Sequence, residues 1–344
     1  MTARRKLRIA LLALGCFHGF VLFAGFFAPY DFSAQDREHP FASPTHLHFV
    51  DAQHKFHLRP FVYDDADATD GNVDIASGRT GTIYPVHFFV RGAPYRIAGL
   101  FPARLHLSGV TEPGRIFLIG TDGYGRDQFS RFLYGGQISL LAGLLAAILA
   151  VSLGAVIGAV AGFYGGWVDE TLMRVAELFL ASPWLYLLFA VRAALPLHVS
   201  ESQIFILLVS VLGLLGWARP ARLVRGIVLS AKERNFVVAA RGFGGSDMHI
   251  LRRHVLPQTY GVLLTQAALL IPHYVLAEVT LSFVGLGVGE PVPSWGSLLS
   301  QLGQYFVLAS YWWMFLPALL LVPLFLAYYA AANALQEHFQ PVSL

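Results

Sequence analysis

Two sets of residues in this chain have the side chains for metal chemistry. Five aspartates, Asp64, Asp65, Asp67, Asp70 and Asp74, follow five histidines, His39, His46, His48, His54 and His57. Clustered carboxylates suit calcium and imidazoles suit zinc, but the closing Glu of an EF-hand loop is missing and no histidine spacing is convincing for a metal. A solvated acidic loop is the expectation, and no metal site is assigned. Residues 31–112 hold no Gly-x-Ser-x-Gly and no His-Glu-x2-His, so no catalytic residue is assigned. The single cysteine, Cys16, excludes an internal disulfide and a cysteine-based metal site. No Gly-x4-Gly-Lys-Ser/Thr phosphate loop is present, so no cofactor is assigned to this chain. Glu278 lies inside an apolar run, with His273 about a helical turn away. A charge at bilayer depth faces a cavity or a partner, so both residues are pathway or gating positions, with packing and substrate contact both open. The densest charge is basic: residues 219–257 hold Arg219, Arg222, Arg225, Lys232, Arg234, Arg241, Arg252 and Arg253, eight of the chain's 24 Lys and Arg, against only Glu233 and Asp247.

The elements that must hold these residues are set by hydropathy. The chain is 56% hydrophobic and 13% charged, where a soluble domain averages about 25% charged, so it is an integral membrane protein. Nucleic-acid binding is excluded, because the basic residues flank apolar spans without base-stacking aromatics among them. Six stretches are long enough to cross a bilayer: 7–28, 138–163, 175–197, 203–218, 260–286 and 311–334. The apolar run 7–28 exceeds the core of a signal peptide and is expected to stay as the first span. Arg4, Arg5, Lys6 and Arg8 put the N-terminus in the cytoplasm, and six spans return the C-terminus and the 219–257 loop to the same side. The loops 197–203 and 288–304 carry no Lys or Arg, as external loops should.

Residues 29–137 carry ten basic and twelve acidic residues and are rich in Gly, Pro, His and Asp. They are expected to form an external insertion of mixed strand and loop, with strands at 84–90 and 115–119. In the second span Ala142, Ala146, Ala150, Gly154, Gly158 and Gly162 recur every fourth residue, giving a small-residue face for close helix packing, within one subunit or against a second one. Pro183, Pro272, Pro317 and Pro323 are expected to kink their spans, and Arg192 to snorkel to the external surface.

Within the basic loop, 220–240 reads as a helix ended by Gly242, Gly244 and Gly245. Ser246 is a plausible N-cap for a second short helix, Asp247 suits its positive end, and Pro257 stops it. On physics alone this helix–turn–helix hairpin could equally be a basic interfacial element on anionic lipid.

The string Val238-Ala239-Ala240-x3-Gly244, with Gly245, Ser246 and Asp247, and closing on His254-Val255-Leu256-Pro257, resembles the "EAA" loop of ABC importer permeases. Further strings are similar to the C-type permease of dipeptide, oligopeptide and nickel importers. They are Gly120-Thr121-Asp122-Gly123-Tyr124-Gly125-Arg126-Asp127 with Ser130-Arg131, Gly165-Gly166-Trp167-Val168-Asp169, Ala221-Arg222-Leu223-Val224-Arg225-Gly226, Ala277-Glu278 with Leu281-Ser282-Phe283, and Pro293-Ser294-Trp295-Gly296. The resemblance covers roughly residue 118 to the C-terminus, plus the first span. Val238 departs from the family's Glu, and His254 from an aliphatic residue.

The resemblance implies an all-α polytopic membrane protein with the type I ABC importer permease fold. Its parts would be a cytoplasmic N-terminus and first helix (1–28), the external insertion (29–137), and a permease core (138–344) with the coupling loop at 219–257. It implies a bacterial or archaeal cytoplasmic membrane, and four kinds of partner: a second homologous permease, two cytoplasmic ABC ATPases that bind ATP and Mg, an external solute-binding protein, and membrane lipid. ATPase coupling would fall to Val238, Ala239, Ala240, Gly244, Gly245, Ser246, Asp247, His254, Leu256 and Pro257. The substrate class would be peptides or a similar small solute. A secondary carrier and a membrane enzyme with an external ligand-binding domain are the alternatives. The first would need an internal repeat and the second a catalytic constellation in 31–112, and neither is found.

Overall fold

The computed structural model describes residues 2–51, 53–63, 82–97, 99–183, 186–187, 189–190 and 200–339. Asp64, Asp65, Asp67, Asp70, Asp74, Arg192 and most of the second half of the 175–197 span lie outside the described residues. The chain forms two compact units: one of Met1–Gly15, Ser139–Val288 and Val322–Leu344, the other of Cys16–Ile138 and Gly289–Leu321. Its helices are α1 (Ala3–Leu22), α2 (Ala24–Phe27), α3 (Gln128–Tyr164), α4 (Gly166–Ala181), α5 (Glu201–Gly216), α6 (Ala218–Ala231), α7 (Asn235–Gly242), α8 (Asp247–Ile250), α9 (Tyr260–Phe283), α10 (Trp295–Ser300), α11 (Tyr305–Ser310) and α12 (Leu316–Phe339).

Among the described residues four helical stretches are long and apolar enough to cross a membrane: Gln128–Tyr164, Glu201–Ala231, Asp247–Phe283 and Trp312–Phe339. The second runs on well past residue 218, so residues 219–231 continue the span instead of opening the loop. Ala218, Ala221, Val224, Val228 and Ala231 keep one face buried along that stretch. Asp169 holds Arg225 through two hydrogen bonds, the Nη2 one at 2.6 Å. A buried stripe and a neutralised arginine together let a sequence that reads as polar stay in the helix.

The small-residue face of α3 explains the packing of this unit. A Cβ on Gly158 would stand 2.3 Å from the carbonyl oxygen of Ala221, and one on Gly162 would stand 2.9 Å from that of Arg225. Gly154 meets Trp217 and Pro220 in the same way. One turn toward the N-terminus, Ala142, Ala146 and Ala150 pack with Leu208, Leu212, Tyr274, Ala277 and Leu281. The backbone of α6 thus lies directly on α3, as small residues permit.

In the other unit the strands are β1 (His48–Val50), β2 (Phe56–Tyr63), β3 (Ile83–Pro85), β4 (His87–Ile97) and β5 (Phe101–Gly109). They form an antiparallel β1-β2-β3 sheet and an antiparallel β4-β5 hairpin. The strand expected at 84–90 is divided between β3 and β4. The strand expected at 115–119 is irregular, because its backbone is satisfied locally: Ile116 N donates to the Tyr30 hydroxyl at 2.9 Å and Phe117 N to Thr45 Oγ1 at 2.9 Å. These two donors are thereby withdrawn from a ladder.

Two of the four expected kinks are absent. Pro183 follows the C-cap residue Ser182, and Pro317 sits in the first turn of α12, where its missing N–H has no bond to lose. Pro272 and Pro323 do lie inside α9 and α12.

Candidate functional site

The basic hairpin is built from residues 231–259. The single helix expected over 220–240 is interrupted at 232–234, where Arg234 adopts ψ 147°. The break re-aims the following turn. Val224, Val228 and Ala231 define the buried face of α6, and a continuous helix would have brought Val238 onto that face four residues beyond Arg234. Instead Val237 is buried with Ile250, Leu251 and Val255, and Val238 is 60% exposed. Lys232 Nζ caps the C-terminus of α3 by donating to Gly162 O at 3.1 Å.

The turn after α7 has the geometry of a glycine helix stop. Gly244 has φ +81° with nothing within 4 Å of where a Cβ would stand. Gly245 N donates to Ala240 O at 3.0 Å, and a Cβ on Gly245 would meet that same oxygen at 2.8 Å. The first glycine is required by backbone conformation and the second by close approach. Ser246 Oγ accepts from His249 N at 3.4 Å, capping α8, and Asp247 lies 3.6 Å from Arg241 across the turn, both exposed.

Pro257 does not stop the second helix. Winding passes from α8 through a π turn (Leu251–Val255) and a 3-10 turn (Leu256–Thr259) straight into α9. Proline lacks an N–H and its ring crowds the carbonyl four residues back; the wide π turn just before it takes up that clash. His254 and Leu256 are half-buried within this passage, and His254 packs beside Phe236 and His249. The hairpin therefore has a buried root and an apolar exposed tip: Phe243 is 92% exposed, Val238 60% and Met248 54%.

In the same unit a cavity of about 710 Å³ opens among α4, α5, α6, α9 and α12. Its polar lining residues include Ser182, Arg219, Gln266, His273, Tyr274 and Tyr329. His273 lines it; Glu278 does not. Glu278 is fully buried and accepts hydrogen bonds from Ser139, on α3, and from Ser282 at 2.6 Å.

The other unit contains a charge cluster in which Asp122, Arg126 and Arg131 meet Glu290, a residue that no motif in the sequence marks. Asp122 is fully buried and accepts from Tyr124 N, Arg126 N and Arg126 Nε, the last at 2.7 Å. Arg126 donates to both oxygens of Glu290, at 2.7 and 3.1 Å, and Arg131 donates to Glu290 at 2.8 Å. Burial works against the Arg126 charge, but Glu290 and Asp122 outweigh it and hold its pKa above the ordinary value. Asp127 caps α3, accepting from Ser130 N at 2.8 Å and Ser130 Oγ at 2.6 Å. Burial pushes the Asp127 carboxyl up to about 6, with the Ser130 hydrogen bonds only partly opposing it. Among the described histidines, His57 pairs with Asp51 at 2.8 Å and His39 with Asp36 at 3.1 Å. No group of three or more His, Cys, Asp or Glu among the described residues could hold a metal ion.

Over residues 154–341 the sequence matches the family described as "Binding-protein-dependent transport system inner membrane component". It is 34% identical over 223 residues to the dipeptide transport system permease protein DppC of Bacillus subtilis (strain 168), covering 64% of this chain and 68% of that one. It is 39% identical over 230 residues to the oligopeptide transport system permease protein OppC of Escherichia coli (strain K12), covering 67% and 73%. A chain of the MetNI methionine ABC transporter, solved in inward-facing conformations, aligns at 16% identity and TM-score 0.46, covering 61% of this chain and 96% of that one.

Proposed function

This chain belongs to the family of binding-protein-dependent transport system inner membrane components, and from that premise we propose that it couples a cytoplasmic ATPase to peptide import through the hairpin at 235–259. Paired with a second permease, it forms the pathway. Two ATPases carrying ATP and Mg drive it, and an external binding protein delivers the solute. The basic residues around the hairpin and at the N-terminus support a cytoplasmic side for both. The peptide assignment rests on the relatives, one named for dipeptides and one for oligopeptides.

The observation that carries the coupling reading is the hairpin's division into root and tip. Val237, Ile250, Leu251 and Val255 fix it to α6, so it moves with the membrane helices. Phe243, Val238 and Met248 leave the opposite side apolar and exposed, where a soluble partner can cover them. With Val238 at the family's Glu position, the contact here is apolar where the motif would make it ionic. The helix continues into α9, which walls the cavity, so ATP-driven movement of the hairpin reaches the pathway without passing through a loop.

Burying a phenylalanine side chain contributes about 1.5–3 kcal/mol. Phe243→Ser should therefore weaken ATPase association by roughly 10- to 100-fold, measured by binding of the purified ATPase to the permease pair in nanodiscs. ATPase affinity equal to wild type would overturn the docking assignment.

A further inference from the structure

Arg219 is out of place for a residue whose only task is to sit near headgroups. It lies about 27 Å along the helix from Glu201 and about 18 Å from Ala231, at 1.5 Å per residue, well inside a helical stretch long and apolar enough to cross a membrane. It is exposed and lines the 710 Å³ cavity. Of the three arginines of this helix, Arg225 is held by Asp169; neither Arg219 nor Arg222 has an ion pair or hydrogen bond with a described residue, and Arg219 alone lines the cavity. A charge at this depth is costly and is retained where it meets a counter-charge or a pathway.

A second polar residue contributes to the wall of the same cavity. Tyr274 is 4% exposed, and its buried hydroxyl has no hydrogen-bond partner. The hydroxyl stands over Gly216, another lining residue, where a Cβ would come within 1.6 Å of it. Buried polar groups are nearly always satisfied, so an orphaned hydroxyl at a cavity wall marks a place where something else supplies the acceptor. Gln266 and His273 line the cavity beside it.

We propose that Arg219, with Tyr274, Gln266 and His273, forms a station within the membrane that binds the carboxylate of the transported solute. The proposal rests on the transport reading above and adds the chemical group that is recognised. One guanidinium among neutral donors matches a single negative charge. Its planar fork also fits a carboxylate through two parallel hydrogen bonds. Apart from Ser182 and Tyr329, the remaining lining, such as Phe179, Leu212, Leu269 and Phe325, is apolar and accepts side chains without selecting among them. The volume falls within the range of about 300–1,000 Å³ typical of small-molecule sites. The cavity thus screens for a free acid and tolerates varied side chains, which suits a carrier of short peptides.

The test uses the complete importer in proteoliposomes and two probes, the dipeptide Ala-Ala and its C-terminal amide, both first confirmed to bind the binding protein. Arg219→Gln should lower ATP-dependent Ala-Ala uptake about 10-fold or more, the worth of a charge-assisted hydrogen bond. It should leave amide uptake as in wild type. Arg219→Lys should retain most Ala-Ala uptake. Tyr274→Phe, which keeps the ring packing, should lower Ala-Ala uptake several-fold and spare the amide. Unchanged Ala-Ala uptake in Arg219→Gln would overturn the proposal. So would an equal loss for both probes, which would assign Arg219 to a carboxylate of the partner permease. Wild-type vesicles without any ATP-dependent uptake would instead overturn the transport reading on which the proposal stands.

Discussion

The hairpin proposed to couple transport to the ATPase turns on Gly244, and its structure distinguishes two reasons why that glycine would be needed. Gly244 has φ +81° and nothing within 4 Å of a Cβ. Size is therefore not the obstacle; backbone conformation is. An L-residue in the left-handed region costs roughly 1–2 kcal/mol, and Asn tolerates it better than other side chains. At about 1.4 kcal/mol per tenfold, Gly244→Ala should raise the population of the opened hairpin by about 5- to 30-fold. Hydrogen exchange on the purified importer reads this directly. The amides of Gly245 and His249, which donate to Ala240 O and Ser246 Oγ, should exchange faster by that factor, and uptake per ATP hydrolysed should fall. Gly244→Asn should lie between wild type and Ala. If Ala and Asn both behave as wild type and damage grows only with side-chain volume, the conformational argument is wrong and Gly244 matters as open space against the ATPase.

Two further outcomes follow from the charge cluster. Glu290→Gln removes the carboxylate shared by Arg126 and Arg131, leaving two buried guanidiniums to one Asp. Because Glu290 is itself 48% exposed, the expected loss is roughly 2–3 kcal/mol and not the larger cost of breaking a fully buried pair; a thermal midpoint equal to wild type would contradict it. Asp127 has its folded-state pKa raised to about 6 from an ordinary 3.8, so its contribution to stability is full below about pH 4 and lost as pH rises through about 6. Asp127→Asn does not titrate, so its stability relative to wild type should climb across that window by up to about 3 kcal/mol, followed by unfolding at pH 4, 5, 6 and 7; parallel curves would show that Asp127 ionises freely.

Much of the hairpin was legible because its signals are local. Ser246 as an N-cap, the glycine stop and the acidic first turn are read within a few residues of one another, and the structure has them there. The break at 232–234 carries no Gly or Pro and is imposed from outside, by Lys232 reaching Gly162 O and by Val237 entering the cluster around Ile250. Pro257 was misleading for the opposite reason: a strong local breaker is absorbed by a change of winding. The continuation of the span to Ala231 was hidden by its arginines, one of which, Arg225, is neutralised by Asp169, 56 residues away in sequence. The Arg126–Glu290 pairing spans 164 residues, and no periodicity encodes such a distance. The cavity is hidden in the same way, since α4, α5, α6, α9 and α12 each give it only a few side chains. What the sequence showed was local motifs, capping and a small-residue face for close packing; what it withheld was which distant elements meet.

The π turn at Leu251–Val255 has a consequence for which changes in chain length this protein can accept. A π turn holds about one residue more than an α turn. Every residue added to or removed from an α-helix swings whatever lies beyond it by about 100°. Deleting a residue almost anywhere between Asp247 and Tyr274 would therefore point the hairpin tip and the Tyr274 side of α9 in mismatched directions. Within 251–255 the same deletion lets the π turn relax to α winding, and both ends keep their facing. This five-residue stretch is the one place in the helix where length and direction are uncoupled. Homologous chains that differ in length between hairpin and cavity are expected to differ there.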